Sequence, residues 1–145
     1  MKLEKTFNEL ISDFAVLYFK LHRFHWFVEG IGFYTFHKVF EDLYDETTDL
    51  VDSFAERLLS IKGTPVSTLK EFLSLTSISE DGSETCPKEI SKTLIADYEN
   101  IVKKLKDGIE LAEEVKDTAT SDLFTVTITA IEKNIWMLSQ VIKQK

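Results

Sequence analysis

Residues 36–61 read FHKVFEDLYDETTDLVDSFAERLLSI, and their apolar members return every three or four positions. This spacing predicts one long amphipathic helix with a single apolar stripe. The stripe consists of Phe36, Phe40, Leu43, Thr47, Leu50, Val51, Phe54, Leu58 and Ile61. Gly30 and Gly32 mark a turn before the helix, and Gly63 with Pro65 ends it. Such a helix is stable only when its stripe is buried, so the stretch predicts packing against other helices.

Three further long helices are predicted around this one. A capping box of Thr6 and Glu9 predicts that the first helix covers residues 6–28. Apolar periodicity after Pro87 predicts a helix over residues 87–115, and a last one is expected over residues 121–141. The sequence is therefore expected to be all-helical.

The connections between these helices differ in length. The stretch between Gly63 and Pro87 is long and polar, but TLKEFLSL at residues 68–75 predicts two helical turns within it. Short first and third connections with a long second one are typical of a ferritin-like four-helix bundle with one crossover. We expect residues 1–145 to form a single domain. A plain structural or cytokine-like bundle fits the same pattern, so the polar residues must decide between them.

The composition limits the class of protein. With 43% hydrophobic and 29% charged residues, the chain is close to the globular average. Its net charge of -8 argues against nucleic-acid binding through the whole surface and favours cations as partners. A single cysteine, Cys86, and the absence of a signal-peptide pattern predict the cytoplasm. No apolar run approaches the roughly 20 residues that span a bilayer, so no membrane segment is expected.

Metal-binding residue types lie on a second face of the long helix, about 100° to 160° from its apolar stripe. They form two i,i+4 pairs, His37 with Glu41 and Asp52 with Glu56. Eleven residues separate Glu41 from Asp52, which places the pairs about 16 Å apart along the axis. A two-fold axis would set the first pair of one chain against the second pair of its mate. The spacing therefore predicts a dimer with metal held between subunits.

A third nitrogen ligand is predicted from the preceding helix. His25 lies five residues before Gly30 and His37 seven after it, so an antiparallel hairpin brings the two imidazoles to a similar height. Imidazole together with carboxylate suits a borderline ion such as Fe(II), and zinc or manganese fits the same set.

Other polar and aromatic residues near these ligands are expected to have simpler roles. His22, one turn before His25, is predicted to pack or to support the ligands. Trp26 is expected to fill the core or an interface, or alternatively to screen a metal from water. The third face of the long helix is expected to be solvated, or alternatively to nucleate mineral. It includes Asp42, Glu46 and Asp49.

Three segments carry a specific family resemblance. HRFHWFVEG (22–30), FYTFHKVFEDLYDE (33–46) and DSFAERLLSIKGTP (52–65) resemble the Dps family of mini-ferritins. The resemblance implies a dodecameric shell with ferroxidase sites at its two-fold interfaces. Such sites oxidise Fe(II), preferentially with hydrogen peroxide over oxygen, and the shell stores the ferric mineral.

The same resemblance assigns residues to this site. One subunit would supply His25, His37 and Glu41, and the other Asp52 and Glu56. The carboxylates are expected to bind the metal, while the imidazoles tune its affinity and redox step. Asp117 and Asp122, near the start of the last helix, are expected to line iron-entry pores at three-fold axes.

This sequence differs from the DNA-binding members of the family in the charge of its two ends. Members that coat DNA carry Lys- or Arg-rich tails, whereas this chain offers Lys2 and Lys5 at one end and Lys143 and Lys145 at the other. A shell of chains with charge -8 repels phosphate, so we predict weak or no DNA binding. The alternatives are a shell that mainly protects DNA, and a helical interaction protein without redox chemistry.

Overall fold

A computed structural model describes residues 1–143, and within that range the regular structure is entirely helical. The helices are α1 (Lys2–Phe27), α2 (Phe33–Ser60), α3 (Leu69–Leu75), α4 (Pro87–Glu114) and α5 (Thr118–Ile142). Helix α1 packs against α2 and α4 against α5, and α1 also contacts α3 and α4. The predicted bundle is confirmed, with α3 in the long crossover. None of these helices is long and apolar enough to cross a membrane.

The core is a continuous apolar cluster with aromatic rings at its centre. Phe7 of α1, Phe54 of α2 and Phe124 of α5 are completely buried. Their ring centroids lie 5.0 to 6.0 Å apart, a spacing that favours aromatic pairing. The buried residues of α2 are Phe40, Leu43, Thr47, Phe54 and Leu58. The apolar stripe predicted for this helix is thus the side that meets the core.

Two predicted helix starts are wrong. Helix α1 begins at Lys2 rather than Thr6, and the Thr6 hydroxyl donates to the Lys2 carbonyl oxygen at 3.3 Å instead of forming a capping box. Helix α5 begins at Thr118 rather than at residue 121, because Asp117 caps it by accepting from the Thr120 amide at 3.0 Å. In both cases the helix extends into polar residues whose own propensity does not reveal the start.

The crossover is held to the bundle by buried polar groups. Thr68 and Glu71 form the capping box that starts α3. Beyond α3, the amide of Ser77 donates to Asp13 Oδ1 at 2.7 Å, and Asp13 is fully buried on α1. Lys104 of α4 reaches Asp13 Oδ2 at 2.6 Å. A charged side chain is therefore buried with a charged partner and hydrogen bonds, which makes the crossover part of the packed structure.

Candidate metal centre

His25, near the end of α1, and His37, in the second turn of α2, face each other across the short α1–α2 connection. Their rings stack with centroids 3.7 Å apart and an interplanar angle of 15°. His25 Nδ1 lies 2.6 Å from the His37 carbonyl oxygen, and His37 Nδ1 lies 2.8 Å from the His25 carbonyl oxygen. The hairpin brings the two imidazoles together at one height, which is the arrangement the sequence spacing predicts.

These reciprocal hydrogen bonds determine which ring nitrogen is available to a metal. A carbonyl oxygen can only accept, so each Nδ1 must carry the hydrogen that it donates. In a neutral imidazole the remaining nitrogen, Nε2, then keeps its lone pair. Metal-binding histidines commonly donate their other N–H to a carbonyl in this way. In the neutral rings of His25 and His37, Nε2 is therefore the nitrogen that could bind a metal.

An aromatic group packs beside the two histidines. Tyr44 of α2 meets the His25 ring edge-on at 5.4 Å, and His22 stacks on Tyr44 at 3.7 Å. The Nδ1 of His22 lies 3.0 Å from the Tyr18 carbonyl oxygen. Burial, followed by nearby carboxylates, raises the pKa of Tyr44. His22 thus packs, as expected, whereas Trp26 is 60% exposed and fills no core of the single chain.

Glu41 lies one turn after His37 and forms an ion pair with a lysine. Its Oε2 is 3.1 Å from Lys38 Nζ, and the same ammonium is 3.0 Å from Asp42 Oδ1. The carboxylates of Asp42 and Glu41 raise the pKa of Lys38. Within residues 1–143, one group of three metal-type side chains has ligand atoms within 4.8 Å of one another, namely Glu41, Asp42 and Asp45. Lys38 and Asp45 were not among the residues predicted from the sequence, although both are spaced i,i+3 and i,i+4 from Glu41 and Asp42.

Asp52 and Glu56 lie toward the other end of α2, and both are exposed. No hydrogen bond or ion pair within the described part of the chain involves either carboxylate. Asp52 lines an open cleft of about 510 Å³ between α2 and the crossover, beside Val66 and Phe72. Helix geometry places Asp52 about 16 Å from Glu41 along the axis and Glu56 about 22 Å from it. One chain therefore does not bring the five predicted ligands together.

Two other acidic residues differ from their expected surroundings. Glu46 is half-buried and accepts from the Asn134 amide at 2.9 Å, and burial raises its pKa, so the prediction of a solvated side chain is wrong. Asp117 pairs with Arg57 at 2.7 Å. Burial alone would raise the pKa of Asp117, but hydrogen bonds from Thr120 and the guanidinium lower it. Asp117 is thus engaged in a structural contact at the start of α5.

The sequence and the fold can be compared with known proteins. Residues 4–145 match the model of the ferritin-like domain family. A relative from Bacillus anthracis, named DNA protection during starvation protein 2, is 40% identical over 140 residues, which are 97% of this chain and 96% of the relative.

Solved structures agree with the sequence match. Dps from Staphylococcus aureus matches with a TM-score of 0.95 at 34% identity, over 99% of this chain and 96% of that one. Dps from Vibrio cholerae O1 is described as a member of a broad superfamily of ferritin-like diiron-carboxylate proteins. It matches with a TM-score of 0.94 at 28% identity, over 98% and 89% of the two chains. From its sequence and its bundle alike, this chain belongs to the Dps family of ferritin-like proteins.

Proposed function

We propose that this chain is the subunit of a ferroxidase that oxidises Fe(II) and stores the ferric product inside a hollow dodecameric shell, thereby limiting oxidative damage. The observation that carries the proposal is the His25–His37 pair, because both imidazoles are oriented by reciprocal hydrogen bonds that leave Nε2 available. The packing residue His22 also has one such hydrogen bond, but two stacked imidazoles that are each oriented in this way are the arrangement that supports a metal ligand pair.

The complete site requires two copies of the chain. The histidine end of α2 supplies two nitrogen atoms and the Glu41 carboxylate, and an antiparallel copy of α2 would set Asp52 and Glu56 of the partner subunit against them. The exposure of both carboxylates in a single chain is consistent with this arrangement. Each two-fold contact then holds two equivalent sites, built from one ferritin-like unit per chain.

The proposed reaction follows from the charge of the ligand set. Glu41, Asp52 and Glu56 together bring three negative charges, which favour Fe(III) over Fe(II) because the ion of higher charge gains more from them. Two Fe(II) ions supply two electrons, and hydrogen peroxide with two protons accepts them and becomes two water molecules. Two-electron reduction avoids release of hydroxyl radical. Oxygen is the alternative acceptor, and the preference for peroxide rests on the family resemblance.

Fe(II) oxidation followed at ultraviolet wavelengths tests this function. Fe(II) is added to the protein with peroxide or in air, and the initial rate is compared with a protein-free blank. We expect a rate well above the blank and a soluble ferric product that sediments with the protein. A rate equal to the blank would refute the ferroxidase and favour a helical interaction protein without redox chemistry. Inhibition of Fe(II) oxidation by zinc or manganese would indicate that these ions bind the same imidazole and carboxylate ligands.

DNA protection is the second candidate function, and the name of the Bacillus anthracis relative favours it. The charge of this chain opposes it, since -8 per subunit repels phosphate. Lys2, Lys5 and Lys143 are exposed, and Lys145 lies outside the described residues. We expect no retardation of DNA in a gel-shift assay at low salt and near-neutral pH, and clear retardation would contradict this. The exposed, unpaired Cys86 suits a reducing compartment, and we propose the cytoplasm.

A further inference from the structure

The turn between α1 and α2 carries large apolar side chains that face solvent. Ile31, within the turn, is 99% exposed, and Phe27 and Tyr34 on its two sides are 58% and 89% exposed. We call these three residues the knob. Single exposed apolar residues are ordinary on a protein surface, but three large ones within eight consecutive residues mark an interaction site.

The backbone holds the knob in one conformation. Ile31 lies between Gly30 and Gly32, whose φ angles of 95° and 85° are ones that glycine adopts readily. The amide of Glu29 donates to the carbonyl oxygen of Thr85 at 3.0 Å, which ties the turn to the start of α4. Because the turn is ordered before any contact is made, a partner that binds Ile31 loses little affinity to ordering it.

An apolar groove lies at the same end of the bundle. It has a volume of about 370 Å³ and runs between the N-terminal part of α2 and the last turns of α5. Its apolar walls are Phe36, Val39 and Leu43 of α2 and Met137, Leu138 and Val141 of α5. Ile31 is almost completely exposed, so it does not fill the groove of its own chain. The chain thus carries an apolar knob and an apolar groove that do not meet each other.

We propose that the knob of one copy of this chain inserts into the groove of a second copy through Ile31 and Tyr34. A knob and a groove at different places on one chain make a heterologous contact, which repeats from copy to copy until it closes into a ring. In the two-fold contact proposed for α2, by contrast, one surface meets itself. The two contacts together would join dimers into a larger closed assembly, and neither requires the iron chemistry of the proposed function.

The exposed area of the knob is sufficient for a specific contact. A whole aromatic side chain buries roughly 150–250 Å², so the exposed parts of Phe27, Ile31 and Tyr34 offer about 500 Å². With an equal area of groove on the next copy, the contact would bury about 1,000 Å², which is the lower limit for a specific interface. Each copy would take part twice, once through its knob and once through its groove.

Sedimentation velocity on the full-length chain tests this contact. Ile31→Asp combined with Tyr34→Asp would place charges in an apolar groove, and we expect species no larger than a dimer at a concentration at which the wild type forms larger ones. Helix content by circular dichroism should be unchanged, because both side chains are exposed in the single chain. Assembly of this variant to the wild-type size would overturn the inference.

Two further variants separate loss of the knob from a change of charge. Ile31→Ser combined with Tyr34→Ser leaves the net charge unchanged and should weaken assembly at least about 10-fold, whereas Ile31→Leu keeps an apolar knob and should assemble like the wild type. Undiminished assembly of the serine variant would contradict the inference. So would a wild-type chain no larger than a dimer, and its binding to phosphatidylcholine vesicles through Ile31 would then assign the knob to a lipid surface.

The groove gives a stricter test. Met137 is 53% exposed and lines the groove, so Met137→Asp should also stop assembly at the dimer, and wild-type assembly of this variant would count against the groove. The knob variant keeps its groove and the groove variant keeps its knob, so an equimolar mixture should form larger species although neither protein does so alone. A mixture that stays at the size of a dimer would refute the pairing. No readout uses iron, so failure of the ferroxidase would leave these results standing.

Discussion

The two ends of α2 contribute to the proposed centre in different ways. At the histidine end, His25 and His37 are oriented by each other's backbone carbonyls and by a stack of 3.7 Å. At the carboxylate end, Asp52 and Glu56 are exposed, and no side chain among residues 1–143 orients either of them. One end is assembled within the single chain, and under the proposed function the other is completed by a second copy.

The difference reflects the chemistry of the two ligand types. An imidazole binds through one nitrogen in the plane of its ring, so both the tautomer and the ring orientation must be set beforehand. A carboxylate has two equivalent oxygen atoms and about four lone-pair directions, so it can adjust as the metal arrives. Burying two unpaired carboxylates in advance would also carry a large desolvation cost, which exposure avoids. The side chains that are oriented in advance are thus the histidines, whose binding geometry is the more restricted.

The largest loss of oxidation rate is expected from removing the carboxylates of Asp52 and Glu56. Asp52→Ala with Glu56→Ala should lower the initial rate of Fe(II) oxidation more than about 100-fold, since loss of supporting residues alone costs up to that much. Helix content by circular dichroism should be unchanged because both side chains are exposed. Asp49→Ala with Ser53→Ala, on another face of the same helix, is the matched control. Unchanged rates in the first variant would refute the assignment of Asp52 and Glu56.

A slightly smaller loss of oxidation rate is expected from a substitution that separates the two subunits and leaves every proposed ligand in place. Leu59 is 56% exposed and follows Asp52 by seven residues, or about two turns, so it lies on the face of α2 predicted to form the two-fold contact. Leu59→Arg would bury a charge in that contact and should split the dimer. Sedimentation velocity would report the subunit state, and the oxidation rate per subunit should fall with the fraction of monomer and recover at higher protein concentration. A monomer that oxidises Fe(II) at the full rate would show that the centre does not need two chains.

A moderate effect is expected at the histidine end. His37→Gln removes one Nε2 ligand and one of the two reciprocal hydrogen bonds, and we expect the half-saturating Fe(II) concentration to rise about 10-fold. His22→Gln is the control, because His22 packs on Tyr44 and is not assigned as a ligand. Its half-saturating concentration should change less than about 3-fold. Equal effects of the two substitutions would mean that His37 acts through packing alone.

The smallest effect on oxidation is expected from Asp117, which ties α5 to Arg57, the neighbour of Glu56. Asp117→Ala should lower the free energy of unfolding by about 1–2 kcal/mol through loss of the cap and the ion pair, and change the oxidation rate less than about twofold. The fold lowers the pKa of Asp117, so its stabilisation is present above the unfolded pKa of about 4 and is lost as pH falls through the folded pKa.

Urea titrations of both proteins at several pH values would measure that dependence, and the difference between them should shrink in acid. A large loss of oxidation rate would instead support the expectation, from the family resemblance, that Asp117 belongs to an iron-entry pore.

Much of the fold was predictable because helix periodicity is a local property. The stripe of α2, the short helix within residues 68–75 and the start of α4 at Pro87 were all predicted from spacing and residue type. The starts of α1 and α5 were not, because Thr6 and Ser121 compete with neighbouring residues for the cap. Asp117, which faces Arg57 of another helix, decides the start of α5.

For the candidate centre, the sequence by itself determined the residue types and the separation of the two pairs on α2, because rise per residue is the same in every α-helix. Only the tertiary structure decided how they are held. The Nδ1 hydrogen bonds of His25 and His37 require α1 and α2 at one distance and height. The burial of Glu46 against Asn134 likewise depends on a helix far away in the chain. Periodicity determines the face of a helix on which a residue lies, and contacts between helices determine what that side chain meets.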